Sequence, residues 1–399
     1  MAFRKLNYCL ACNSNRLKEV LDLNKQPLAN SYLVKKITKE TKEKQYELKV
    51  NCCLSCTHLQ LSIAVDPRII YKNYSYVSGT TKTYKKYMKK FFNFCLKNTN
   101  LVNRNILDIG CNDGSQLDIF KYKKFQTYGI DPAQNIFKYS SKKHKVICDF
   151  FNAKSIKKLK SKFDIIISQN SFAHNPNPYK FLLNIKKLMH KDSTIFIQTS
   201  QADMCKNIEF DTIYHEHINY YNTNSMNTLV DRAGLKLHNI VKSPIHGTSY
   251  IFVIKIKSNQ KKIKKFLISE KYYSLKFYLN WARNCEKKVK LIKKRIDKIN
   301  LNNKIIGYGA AAKANTFLNF SKIKLHLIID DNKLKQNKFT PGSQILIKDS
   351  SELKKINRKL YILPLAWNFY SEIRKKVKSI RPNKEDRFIL CFPRIKIMK

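Results

Sequence analysis

The sequence predicts an α/β protein of more than one domain: two parallel α/β units behind a small cysteine-bearing segment. Three observations carry this. Strand-length apolar runs alternate with helix-length stretches from residue 105 onward. A glycine-bearing turn follows the first strand of each of two such series. Near the start, four cysteines stand in two Cys-x-x-Cys pairs. At 399 residues the chain also exceeds what one hydrophobic core serves, because single cores stop growing at about 250–300 residues.

Composition narrows the function classes. Lys plus Arg is 78 against 28 Asp plus Glu, a formal charge of +50, yet only 12 of the cations are arginine. Ile, Asn, Tyr and Phe are abundant while glycine falls to 9 residues. That joint bias follows A/T-rich codons, so much of the charge is compositional drift and the lysines are scattered, solvated cations. Arginine forks that read bases and phosphates are few, which argues against nucleic acid as the substrate. The remaining positive field attracts anions in general, a nucleotide-sugar among them. A hydrophobic fraction of 43% with 12% aromatics excludes a disordered chain. No run reaches the roughly 18 apolar residues of a membrane span, and Met1–Asn7 lacks an apolar signal region. The expectation is a cytosolic, reduced protein, whose eleven cysteines are metal ligands or core thiols.

The first segment, residues 1–75, carries Cys9-x-x-Cys12 and, 40 residues later, Cys53-x-x-Cys56. Each pair places two thiolates on one metal, so the four read as a tetrahedral zinc site. Four protein ligands leave no open position, which makes the zinc structural. The other scattered cysteines, 95, 111, 148, 205, 285 and 391, read as core thiols.

Residues 76–257 form the larger α/β unit. Strand Asn105–Gly110 leads into the turn Cys111-Asn112-Asp113-Gly114 and a helical stretch from Ser115. Strand Thr127–Asp131 follows and ends in an acid that suits ribose hydroxyls. The loop reads Asp-x-Gly-x-Asn-Asp-Gly, with an acid inside it and no tight pyrophosphate cradle. An acidic loop repels phosphate and welcomes a sulfonium and an amino group, which favours S-adenosylmethionine (SAM) over NAD. Asp149-Phe150, after strand Lys145–Ile147, stands where such a sheet meets the adenine. Further strands are 163–168, 193–198 and 250–254. Residues 258–300 read as one long basic connecting helix with a solvated face. The last unit, 301–399, opens with strand Lys304–Ile306 and the turn Gly307-Tyr308-Gly309-Ala310-Ala311-Ala312-Lys313, followed by strand 325–329 ending in Asp330-Asp331. It is a second, smaller Rossmann-like unit, and a basic loop at a helix start suits a phosphate.

Taken in order, these pieces resemble the SAM-dependent nucleotide-sugar C-methyltransferase family. The strings that carry the likeness are Gln26–Asn30, Cys53–Leu61, Tyr74–Gly79, Asp108–Gly114, Gly129–Ala133, Asn170–His174, Tyr214–His217, Gly307–Lys313 and Trp367-Asn368. The resemblance implies a class I (Rossmann-like) SAM core between a zinc domain and a nucleotide-sugar-binding C-terminal domain. It implies a cytosolic enzyme that methylates carbon 3 of a 4-keto-deoxysugar on a nucleoside diphosphate. It places SAM against Asp108, Gly110, Asn112, Asp113, Gly114, Asp131, Pro132, Asp149, Phe150 and Asn170. It makes His217 the base, with Tyr214, Glu216, His174 and Tyr76 lining the sugar pocket.

Histidine suits that base because its ordinary pKa lies near neutrality. The chain departs from the family at His246-Gly247-Thr248-Ser249-Tyr250-Ile251, where a second glycine and an arginine are missing. Two other classes stand beside this reading. An RNA methyltransferase would carry arginine clusters and aromatic-basic platforms, which are absent from the sequence. A non-catalytic module would carry a broken loop, but Asp108, Gly110, Asp113, Gly114 and Asp131 are all present. Eight of the nine glycines fall in motif turns or in Pro341-Gly342, where backbone freedom serves.

Overall fold

The computed structural model describes all residues except 1, 39–41, 72–76, 81, 246 and 271, with residues 80, 82 and 83 as backbone only. The chain divides into two compact units that interleave along the sequence. The first is built from 1–19, 50–203 and 216–275; the second from 20–49, 204–215 and 276–399.

The first unit centres on seven strands: β1 Asn105–Ile109, β2 Gln126–Ile130, β3 Lys145–Ile147, β4 Phe163–Gln169, β5 Met189–Thr199, β6 Lys236–Ser243 and β7 Ser249–Lys255. Their spatial order is β6-β7-β5-β4-β1-β2-β3. Strands β1 to β5 are parallel, and β7 runs antiparallel to both β5 and β6. Strands β1 and β4 are near-continuous apolar runs because helices cover both sheet faces. One face packs Leu107, Ile109, Ile166, Ile195, Ile197 and Phe252; the other packs Ile106, Ile165, Ile167, Phe196 and Val253. That split is the period-two alternation of each strand expressed in space. Chain order reverses between β1 and β4, so the crevice at their carboxyl ends is the expected ligand position.

The second unit centres on a six-stranded sheet: β8 Ile305–Tyr308, β9 Leu327–Ile329, β10 Ile347–Lys348, β11 Tyr361–Pro364, β12 Arg387–Leu390 and β13 Lys396–Met398. Their order is β10-β9-β8-β11-β12-β13, all parallel but the last. Again the order reverses at the first strand, which carries the glycine turn. The structure therefore shows both parallel α/β units that the sequence predicts.

Two expectations are corrected. The single helix over 258–300 is two helices, Lys261–Ser269 and Leu275–Asn300. Glu270 ends the first: its carboxylate accepts the Thr223 N–H at 2.9 Å and the Tyr250 hydroxyl, ties that the apolar spacing does not encode. Cys148 is exposed, whereas Cys95, Cys111, Cys205, Cys285 and Cys391 are buried as expected. Among the described residues no helix is long and apolar enough to cross a membrane.

Candidate functional site

Cys9, Cys12, Cys53 and Cys56 bring their sulfurs within 4.8 Å of one another. The two halves are built alike. In each, the fifth residue (Asn13, Thr57) has a left-handed backbone and donates its N–H to the first cysteine's carbonyl, at 2.8 and 2.9 Å. The sixth (Ser14, His58) accepts from the first cysteine's N–H, at 2.8 Å in both. The closest cross pairs, Cys9–Cys56 and Cys12–Cys53, stand 3.6 and 3.5 Å apart. A tetrahedral zinc–thiolate centre separates its sulfurs by about 3.8 Å, so four soft donors at this spacing fit zinc.

The crevice at the ends of β1 and β4 is built by the glycine turn. Gly110 has φ +83°, and a side chain there would meet Ser171 at 2.6 Å. The Gly110 N–H donates to Ile130 O at 2.8 Å, which ties the turn to β2. Asp131 accepts the Asn112 N–H on one oxygen and the Ala133 N–H on the other, both at 2.9 Å. Those bonds hold the carboxylate where β2 ends, with further lone pairs available to hydroxyls. Asp108 is buried, and its Oδ1 has no hydrogen-bond partner among the described residues. Burial first, then Asp131 and Asp113, hold the Asp108 carboxyl well above the usual range. Burial also raises Asp131. Two buried acids that disfavour each other's charge fit a ligand that brings positive charge, as a sulfonium and an ammonium do.

The remaining predicted cofactor residues separate into two kinds. Asn112 Oδ1 accepts the Ser78 N–H at 2.9 Å, while Asp113 accepts the Gly79 and Ser115 N–H groups at 2.9 and 3.1 Å. Both side chains therefore brace the turn against residues 78–79. Gly114 adopts φ +80° and starts helix Ser115–Tyr122, Pro132 follows Asp131, and Asp149 caps its own loop by accepting the Phe150 N–H at 2.7 Å. Asn170, with φ +54°, ends β4 and accepts from Gln198 Nε2 at 3.3 Å. Gln198 Oε1 in turn accepts from the Tyr87 hydroxyl.

A row of rings leads away from this crevice. Phe150 meets Tyr71 edge-on at 6.4 Å between centroids; Tyr71 stacks on His174 at 5.7 Å and 10°; His174 lies 5.1 Å from His217. Burial draws the His174 pKa down to about 4, so the ring is neutral at physiological pH. Its Nε2 is buried with no partner among the described residues. His217 is 6% exposed, with Nδ1 3.4 Å from Gln201 Nε2. The structure thus brings His174, His217 and the predicted adenine-side Phe150 into one run of contacts.

Not every predicted residue joins them. The division between units falls between His215 and Glu216, so Tyr214 belongs to the second unit's segment and Glu216 to the first. Glu216 is buried and Tyr214 half-buried. His215 packs against Tyr46, points Nε2 at Glu47 O at 3.2 Å, and is drawn down to about 4 by burial, which marks an anchored ring. Tyr76 and His246 lie outside the described residues. At the departure from the family pattern, Thr248 O accepts the Ala202 N–H at 3.0 Å, and Ile251 packs in the apolar core with Phe91 and Phe196. Sequence reading missed Tyr71 and Gln201, whose parts are set by contacts across 103 and 16 positions with no local motif.

In the second unit, Gly309 turns at φ +92° and Asp330 accepts the Ala310 N–H at 2.7 Å. Lys313 stands 4.3 Å from the centre of the Trp367 ring and 3.6 Å from Asp211, which also accepts the Trp367 indole N–H at 2.8 Å. The strings Gly307–Lys313 and Trp367-Asn368 therefore meet, around a lysine already paired with an acid. Burial, then Asp211, lifts neighbouring Glu209 to about 7.

Three family descriptions match the chain in sequence: "Putative zinc binding domain" over 9–71, "Methyltransferase domain" over 81–240 and "C-methyltransferase C-terminal domain" over 244–393. C-methyltransferase NovU of Streptomyces niveus is 24% identical over 412 residues, spanning 99% of this chain and 97% of NovU. The tRNA U34 carboxymethyltransferase of Campylobacter concisus is 25% identical over 119 residues, 28% of this chain and 41% of that enzyme. Among solved structures, a SAM-dependent methyltransferase from Clostridium acetobutylicum aligns with a TM-score of 0.35 and 13% identity, over 44% of this chain and 92% of that one.

Proposed function

From the premise that the chain belongs to the SAM-dependent C-methyltransferases, with zinc-binding, methyltransferase and C-terminal C-methyltransferase domains, we propose that its acceptor is a nucleoside-diphosphate-linked 4-keto-deoxysugar. The reaction is methylation of carbon 3, beside the keto group. The observation that carries this reading is the pairing of His217 with His174 along the ring row that starts at Phe150.

Carbon becomes nucleophilic only when a proton leaves it and the resulting enolate is stabilised. His217 takes the C–H proton in this scheme. A half-turn of the Gln201 amide lets its oxygen accept the Nδ1–H, the tautomer that puts the basic lone pair on Nε2; Gln201 Oε1 otherwise has no partner among the described residues. Neutral His174 offers its unpartnered Nε2 to the developing oxyanion as an N–H donor. Glu216, in the same unit as His217, contributes a carboxylate to orient an imidazole. SAM, when bound against Asp108, Gly110 and Asp131, supplies an electrophilic methyl. The zinc has four protein ligands and supports structure only.

Within the second unit, the resemblance of its glycine turn and Trp367 supports a role in nucleotide recognition. A tRNA acceptor draws less support, because the likeness to the tRNA enzyme spans 28% of this chain whereas that to NovU runs end to end. The experiment is incubation of the full chain with SAM and a panel of dTDP-4-keto-6-deoxysugars deuterated at carbon 3. Gain of one methyl with loss of deuterium from carbon 3 supports the reading. Methyl transfer to oxygen, or to none of the panel, refutes it.

A further inference from the structure

The zinc half-site Cys53–Cys56 is followed at once by His58, which is fully buried and is not a metal ligand in the four-cysteine set. His58 Nε2 lies 3.1 Å from Asn219 Oδ1. The Asn219 amide nitrogen donates twice, to Ala173 O at 3.3 Å and to Asn175 O at 2.8 Å. Two carbonyl acceptors on Nδ2 settle which end of the amide faces His58: the oxygen, so the imidazole donates. Asn219 therefore grips the backbone on both sides of His174, and it stands two residues beyond His217. The main chain repeats the tie, since Ile218 donates to Ala173 O at 3.0 Å and Leu61, three residues past His58, donates to Ile218 O at 2.9 Å. The same knuckle is latched further along: Thr57 O and Cys56 O accept from the amides of Asn222 at 3.0 Å and Asn224 at 3.1 Å. Every one of these contacts lies within the first unit.

We propose that His58 and Asn219 are positioning residues that hold His174 and His217 in register by fastening their backbone to the zinc knuckle. This rests on the reading of His217 as the base and of His174 as its neighbour at the oxyanion. The physical need is plain: proton abstraction requires placement to within a fraction of an ångström, and a displacement of about 1 Å can cost 100-fold in rate. A buried amide with all its hydrogen bonds made is a stiff connector, and breaking one end leaves the others strained or unpaired. The zinc then has a consequence for the reaction without taking part in it, because it makes the knuckle rigid enough to serve as an anchor.

The test uses the zinc-loaded full chain. Asn219→Asp is nearly isosteric but turns a double donor into an acceptor, which repels both Ala173 O and Asn175 O. His58→Leu removes the donor to Asn219, while His58→Gln restores one. Three readouts are taken: zinc content and SAM affinity; kcat against KM for the acceptor; and the imidazole NMR signals of ¹⁵N-histidine-labelled protein. Asn219→Asp and His58→Leu are expected to lower kcat by about 10- to 100-fold, with zinc content, KM and SAM affinity within about twofold. His58→Gln is expected to recover most of the loss. The His174 and His217 ring signals shift in both damaging variants, while that of His238, on the terminal strand β6 of the sheet, stays in place.

Unmoved His174 and His217 signals together with unchanged kcat would overturn the proposal. So would a loss of kcat that tracks loss of zinc or SAM in both variants, which is the mark of a purely structural role. The NMR readout separates this from the acceptor assignment: shifted signals in a protein that methylates no keto-sugar uphold the connector and refute the acceptor.

Discussion

Gly110→Ala probes the SAM crevice with a single methyl group. The backbone at this position has φ +83°, and an L-residue held in the left-handed region loses about 1–2 kcal/mol. The new Cβ would lie 2.6 Å from Ser171 Cβ and 2.7 Å from Ser171 Oγ, well inside contact distance. Ser171 has little room to yield, because its hydroxyl donates to Ile109 O at 2.7 Å and is 2.6 Å from Ser168 Oγ. Overpacking of this kind costs about 1–3 kcal/mol. The combined loss is then about 2–5 kcal/mol, which lowers the melting temperature of a domain this size by roughly 5–15 °C. Moving the turn also displaces the Asp131–Asn112 bond, so SAM affinity falls with stability. A double-mutant cycle separates the parts: Ser171→Gly in the Gly110→Ala background relieves the overlap and leaves the backbone strain. Calorimetry and SAM titration of the four proteins make the measurement. Wild-type stability and affinity in Gly110→Ala, or no coupling with Ser171→Gly, would refute the geometry of the turn.

Three further outcomes follow from the site. Asp131→Asn presents an N–H to one of two backbone donors and removes the charge that accepts ribose hydroxyls, so SAM affinity falls by about 10- to 100-fold in titration while zinc content is unchanged. Cys12→Ala leaves three thiolates, so metal analysis finds zinc falling well below one ion per chain and the melting temperature drops with it. On acidification, the folded pKa of about 4 at His174 and His215 lies below the ordinary 6.5. Between these values the unfolded chain binds more protons, so stability rises with pH through the window and is lost as pH falls from 6.5 to 4. The loss is worth about 3 kcal/mol per histidine, enough for denaturant midpoints to fall sharply below pH 6.

The sheets and the metal site were legible because their signals are local. The β1-turn-β2 series needs only apolar strands, a glycine and a terminal acid, and those lie within 27 residues, from Asn105 to Asp131. The two cysteine pairs carry their own spacing. Asn112 and Asp113 were placed in the cofactor loop from sequence, yet their side chains brace it against Ser78 and Gly79. That distinction depends on which way a side chain turns, which no motif states. Tyr71 and Gln201 were illegible for a related reason: each meets its histidine through a side-chain contact that no local motif encodes. The apolar spacing that reads as one helix across 258–300 continues through its break because Glu270 is drawn to Thr223 and Tyr250, partners that helical periodicity does not register. His58 looked like part of a family string; only the Asn219 amide shows what it holds.

The central claim is that a histidine of this crevice removes the proton beside a keto group. It is tested most directly by incubating wild type and His217→Asn with a dTDP-4-keto-6-deoxysugar in D₂O without SAM, and following carbon 3 by NMR. Wild type is expected to wash deuterium into carbon 3, and His217→Asn, with SAM binding intact, to leave that proton in place. Exchange at the wild-type rate in the variant would contradict the account.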